Sequence, residues 1–206
     1  MVKVKICGIT NIEDAKAAVD AGAVALGFIF CKESPRYIAP ESAKTIISAL
    51  PPFIIKIGVF VNEPSEFIEK TVFGTGINMI QLHGNEAPEM CSSLCSVIKA
   101  FRVKSLDSLD PLNKYSGLIS AFLLDTYTPD ILGGTGLIFN WDIAIEAKQF
   151  GRIILAGGLT PDNVADAVKR VAPYAVDVSS GIEIKRGKKD HKKMRLFIER
   201  AKAVLP

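Results

Sequence analysis

Cys7 stands in the run KICGIT, residues 5–10, between an apolar start and a helix signal. Val2, Val4 and Ile6 alternate with lysines, the period of two expected of a strand, and Thr10 with Glu13 three residues later has the spacing of a capping box. The thiol is thereby placed at the C-terminal end of a strand, where it reads either as a small packed hydrophobe or, ionised, as a base or nucleophile. Asp125 closes a second apolar run, AFLL at 121–124, and so has the same structural address. Together they offer a base and an acid. Their reference pKa values, about 8.5 and about 3.9, must each shift toward neutrality for proton transfer. A basic or helix-terminal environment would favour the thiolate, and partial burial would keep the carboxyl protonated. The plainer alternatives are a packed cysteine and a helix-capping aspartate.

Other strand ends carry groups suited to anions. Arg36 follows Ser34-Pro35, and a guanidinium held by that rigid loop can grip a carboxylate through two parallel hydrogen bonds or form an ordinary surface salt bridge. Gly157-Gly158 after RIILA and Ser180-Gly181 after AVDV can present backbone N–H groups to a phosphate, glycine permitting close approach; otherwise Gly157-Gly158 is a tight turn. Asp177 either orients that loop or fills space. His83, followed by Gly84, reads equally as a mouth-lining partner of Gln81 and as a turn residue, and the glycine-rich stretch 133–136 as a loop that closes over substrate or simply turns.

Positioning all of these at strand ends requires a repeating scaffold. Apolar run, polar cluster and helical pattern recur along the chain, predicting strands at 2–6, 24–30, 54–61, 78–82, 96–102, 121–124, 152–156 and 175–178. Eight such units predict a (β/α)8 barrel, whose active sites gather at the C-terminal ends of the strands. An open doubly wound sheet is the alternative, but it usually carries a glycine-rich fingerprint after its first strand, where this chain has Cys7 and Gly8. Helix ends are expected at Thr160, an N-cap before Pro161; at Asn140, capping a helix that ends near Gly151; and at Gly22, closing the first helix. In the last helix Met194, Phe197, Ile198, Ala201 and Leu205 share one face.

Composition sets the outer limits. A chain of 206 residues, 49% hydrophobic, is read as a single domain over 1–206, large enough to bury about 70% of its unfolded surface. Its apolar stretches are strand-sized and MVKVK lacks an apolar h-region, so neither a membrane span nor a signal peptide is expected, and the location expected is cytoplasmic. The cysteines at 7, 31, 91 and 95 are then expected as free thiols, Cys91 and Cys95 on one helix face, with no histidine placed to complete a metal site. A net charge of +3 is too small to imply nucleic acid but suits anionic small substrates, and the basic stretch 185–195 reads as a solvated loop and helix start.

KICGIT, SPRYI at 34–38, GVFVN at 58–62, QLHG at 81–84, LLDT at 123–126, GGTG at 133–136, FNW at 139–141, LAGGL at 155–159 and DVSSGIE at 177–183, taken together and in this order, resemble the N-(5′-phosphoribosyl)anthranilate isomerase family. The resemblance spans the chain. It implies an Amadori rearrangement in tryptophan biosynthesis, with a small phosphorylated substrate and no cofactor; no metal is expected from the ligand spacing, and the partners expected leave the chain a monomer or homodimer. By the same resemblance Asp125 is the general acid at the furanose oxygen, Cys7 the base at C2′ and Arg36 the ligand of the anthranilate carboxylate, while Gly157, Gly158, Ser180 and Gly181 hold the phosphate. The chain departs from the family's usual pattern at Cys31, where an aromatic residue is common, and at Asn140, where an aspartate is. The alternatives are another phosphosugar barrel enzyme, a lyase or a cyclase, and a non-catalytic sensor of a phosphorylated ligand. A cyclase would be expected to place lysine and glutamate at several strand ends.

Overall fold

The computed structural model describes residues 1–126 and 141–204. Its strands β1 (Lys3–Cys7), β2 (Ala25–Ile29), β3 (Ile55–Phe60), β4 (Met79–Leu82), β5 (Val97–Val103), β6 (Ala121–Thr126), β7 (Ile153–Leu155) and β8 (Ala175–Val178) are all parallel, and β8 pairs back onto β1. The sheet is a closed barrel, which rules out the open doubly wound alternative. Around it run α1 (Ile12–Asp20), α2 (Pro40–Ser48), α3 (Ser65–Thr75), α4 (Pro88–Ser93), α5 (Trp141–Glu146), α6 (Val164–Val171) and α7 (His191–Ala203). A 3-10 segment, Leu106–Tyr115, joins β5 to β6. α7 packs against α6 and α1 and so closes the outer ring.

Alternation along each strand divides the core in two. Val4, Ile6, Leu26, Phe28, Phe60, Leu82 and Phe122 point outward into the layer beneath the helices. Their opposite numbers Ala25, Ile57, Ala100, Leu123, Ala156 and Ala175 fill the barrel itself. Bulk lies outside because an eight-stranded barrel leaves room only for small or medium side chains within. Each buried aromatic contributes up to about 3 kcal/mol by removal from water, and Phe30 and Phe60 also stack with centroids 5.3 Å apart. Amid this apolar interior stand two charges, Lys5 and Asp177, joined at 2.9 Å.

Several element ends differ from expectation. Asn11, and not Thr10, caps α1: its Oδ1 accepts from the Asp14 N–H at 2.8 Å, while the Thr10 hydroxyl donates to the Gly187 carbonyl at 2.6 Å. α6 begins at Val164, after a turn in which Thr160 Oγ1 accepts from Asp162 N and Asn163 Oδ1 accepts from Thr160 N, so Thr160-Pro161 precedes the helix without capping it. α4 ends at Ser93, leaving Cys91 buried on the helix and Cys95 exposed beyond it. Gly22 does follow α1 with φ +98, a left-handed conformation that favours glycine. Met194, Phe197, Ile198 and Ala201 form the buried face of α7. Asn140, the stretch 133–136 and Leu205 lie outside the described residues.

Within 185–195, Lys185, Lys188, Lys192, Lys193 and Arg195 are exposed, but Lys189 is 1% exposed. It sits on a two-stranded hairpin, β9 (Glu183–Lys185) and β10 (Lys188–Lys189), that folds the ammonium back beneath the barrel mouth. All four cysteines are free thiols. No described helix is long and apolar enough to cross a membrane.

Candidate active site

A cavity of about 640 Å³ opens at the C-terminal ends of the strands, and every candidate residue lines it: Cys7, Arg36, Asp125, Gly157, Gly158, Ser180 and Gly181. The barrel brings them together because each follows a strand and all strands run the same way.

Cys7, at the end of β1, is 6% exposed. Burial pushes its thiol above the ordinary range; the Lys5 ammonium pulls it down, Asp177 pushes it up again and Lys189 pulls down, and burial wins. The resting group is therefore the thiol, against the expectation that its basic surroundings favour the thiolate. Its sulfur lies over Gly27 of β2, where a Cβ would come within 2.8 Å of it.

Asp125 faces the cavity from β6 with its side chain 32% exposed, and its Oδ2 lies 3.4 Å from His83 Nε2. Gln81 Nε2 stands 2.8 Å from His83 Nδ1. With the amide nitrogen donating, Nδ1 accepts and the Nε2–H is turned toward Asp125. His83 is thus a neighbour of Asp125 and not only a turn residue. Its signal in the sequence was the two-residue spacing from Gln81, which puts both on the inner face of β4.

Arg36 donates from Nε and Nη2 to the two Glu183 oxygens at 2.8 and 2.7 Å. This is not a surface pair: the side chains are 18% and 5% exposed. Lys189 adds a second cation at 3.0 Å from Glu183 Oε1. Burial alone would raise the Glu183 carboxyl, but the Arg36 hydrogen bonds and the Lys189 charge outweigh it and hold the group below the usual range. Nη1 makes no bond to Glu183, which leaves a second edge of the guanidinium available at the cavity. Gly8, at φ +75, lets the arginine pass: a Cβ there would lie 2.7 Å from Arg36 Cδ. Sequence reasoning missed Glu183 and Lys189.

The two glycine loops meet after β7 and β8, across β1 from the strand that precedes Arg36. Gly157 and Gly158 both adopt positive φ, 77 and 66. A Cβ on Gly181 would run into the Leu159 carbonyl oxygen, so glycine is what allows the loops after β7 and β8 to lie against each other. Lys189 Nζ reaches Ser179 there, at 3.2 Å from its carbonyl oxygen and 3.3 Å from Oγ. The rim offers backbone donors and a nearby cation, the chemistry an anion needs. Among the described residues no group of three histidine, cysteine or carboxylate side chains is placed to hold a metal.

Comparison with known proteins adds to this geometry. The family profile described as N-(5′phosphoribosyl)anthranilate (PRA) isomerase matches residues 4–200. The N-(5′-phosphoribosyl)anthranilate isomerase of Geobacter sulfurreducens is 58% identical over 203 residues, covering 98% of this chain and 99% of its own. The crystal structure of phosphoribosyl anthranilate isomerase from Thermotoga maritima superposes with a TM-score of 0.93 at 45% identity, over 99% of this chain and 100% of that one. Another crystal structure of such an isomerase, in complex with reduced 1-(o-carboxyphenylamino)-1-deoxyribulose 5-phosphate, superposes at 0.90 with 42% identity, over 99% of this chain and 100% of that one.

Proposed function

The chain belongs to the N-(5′-phosphoribosyl)anthranilate isomerase family, enzymes of tryptophan biosynthesis that catalyse an Amadori rearrangement, and from that premise we propose how its own residues divide the reaction. One observation carries the proposal: Cys7, Asp125, Arg36 and the glycine loops after β7 and β8 all open onto one cavity.

The substrate has an anion at each end. The loops carrying Gly157, Gly158, Ser180 and Gly181 receive the phosphate through backbone N–H groups, and the free edge of Arg36 receives the anthranilate carboxylate. Anchoring both ends converts encounter into fixed geometry at the ribose between them, which is where binding energy serves catalysis. Asp125, with His83 beside it, protonates the furanose oxygen and the ring opens to a Schiff base. Cys7, as thiolate, then takes the C2′ proton. The electrons of that C–H bond form the C1′–C2′ double bond of an enolamine as the iminium nitrogen is neutralised, and tautomerisation delivers the ketone. Each step moves a proton, the first with cleavage of the C1′–O bond as the nitrogen lone pair forms the iminium and the ring oxygen becomes a hydroxyl, so acids, bases and placed charges suffice.

Anthranilate-type fluorescence followed after mixing purified protein with freshly generated phosphoribosylanthranilate tests this reading. The parent is expected to quench the signal by turnover and Cys7→Ala to leave it standing. A parent that binds the substrate without turnover would instead be a sensor.

A further inference from the structure

At the cavity floor lies a buried charge pair that the steps above do not use. Lys5 is 2% and Asp177 8% exposed, in a barrel interior otherwise packed with Ala25, Ala100, Leu123 and Ala175. Residues 5 and 7 of a strand share a face, and Gly27 on the neighbouring strand has no side chain. A Cβ at Gly27 would lie 2.8 Å from Cys7 Sγ and 3.2 Å from Lys5 Cε, so the sulfur and the end of the lysine occupy the same niche. The ammonium is tethered from the far side by Asp177 Oδ2 at 2.9 Å. Among the described residues Asp177 Oδ1 has no hydrogen-bond partner, so protein contacts alone do not complete the pair. A buried ion pair seldom stabilises a fold more than apolar packing of the same volume does. Its placement against the sulfur gives it another use.

We propose that Lys5 is a positioning residue for the base: anchored on Asp177, its ammonium holds the Cys7 sulfur in the Gly27 niche and supplies the positive charge beside which the thiolate forms. The inference rests on the reading of Cys7 as base. Lys5 remains an ammonium throughout, since the thiol loses its proton to solvent and regains one from C2′. The other charges around the sulfur are Asp177 on β8, Lys189 and Glu183 on the hairpin, and Arg36 after β2. Burial works against the Lys5 charge, but Asp177 and the sulfur outweigh it, so the lysine stays protonated across the pH range in which a thiol titrates.

The test is Lys5→Met, which keeps the length and removes the charge. The Cys7 titration is read from ultraviolet thiolate absorbance as the difference from Cys7→Ala in the same background, alongside pH profiles of kcat and KM. The thiol midpoint is expected to rise by about one pH unit, leaving roughly tenfold less thiolate near neutrality. kcat should fall about tenfold with KM nearly unchanged, and its acid limb should move upward by the same unit. An unshifted thiol titration in a folded Lys5→Met protein overturns the proposal, whatever its activity. Should the single variant not fold, Lys5→Met/Asp177→Asn keeps the test. The lysine acts on the sulfur more strongly than the aspartate does, so the midpoint should still lie above the parent's, and a midpoint at or below the parent's overturns the proposal. Parental kcat in Cys7→Ala would instead remove the base reading itself, a failure separate from that of Lys5.

Discussion

Lys5 and Lys99 are buried alike, each 2% exposed, and each faces a carboxylate, Asp177 at 2.9 Å and Glu86 at 3.1 Å. Lys99 points outward from β5 and spends its donors on the Gly84 and Ala100 carbonyls, at 2.8 and 3.0 Å, and on Glu86. Glu86 in turn accepts from the N–H groups of Asn62 and Gly84, tying the loops after β3 and β4 to β5. That network closes on itself. Lys5 points inward to one carboxylate, with its end and the Cys7 sulfur packed over Gly27, and among the described residues Asp177 Oδ1, at the cavity, has no partner. A buried charge with every valence answered clamps a structure, whereas one with a valence left over and a reactive group beside it belongs to a site.

The difference can be broken or sharpened by substitution. The largest effect is expected inside the barrel mouth: Cys7→Ala and Asp125→Asn should each lower kcat about 10³-fold, with thermal unfolding close to the parent's, as measured by fluorescence turnover and calorimetry. Lys99→Met should do the reverse. It strands Glu86, and chemical denaturation should show a loss of roughly 3–5 kcal/mol while the folded protein keeps kcat within a few-fold. If Lys99→Met instead cut kcat at unchanged stability, the contrast between the two lysines would collapse. Arg36→Ala should raise KM about 10- to 100-fold, the worth of hydrogen bonds to a charged group, with kcat changed far less.

The smallest effect is a pH dependence. The Glu183 carboxyl lies lower in the folded protein than its unfolded value of about 4.3, so the stability it supplies is complete above that pH and is lost as pH falls through the folded value. Denaturation midpoints compared at mildly and strongly acidic pH should therefore drop less for Glu183→Gln than for the parent.

Much of this was readable from the chain. Strands of a parallel barrel are covered on both faces, so each appears as a compact apolar run with a polar or glycine-rich end, and Cys7, Asp125 and the two glycine loops could be placed at the cavity in that way. What was hidden depends on contacts between distant residues. Thr10 and Asn11 are both good caps, and the choice was settled by the Thr10 hydroxyl bonding Gly187, far along the chain. Lys189 sits among exposed lysines and looks like them; only its partners Glu183 and Ser179 make it a buried cation. Lys5 fits the strand's alternation equally well facing solvent or the interior, and it is the closure of β8 onto β1 that sets it against Asp177.

The central claim, that Cys7 removes the C2′ proton, is tested most directly with substrate deuterated at C2′. In a single turnover the parent should release the label from C2′ in step with loss of fluorescence, and Cys7→Ala should leave the label in place over the same interval. Loss of the label at the parental rate in Cys7→Ala would contradict the account.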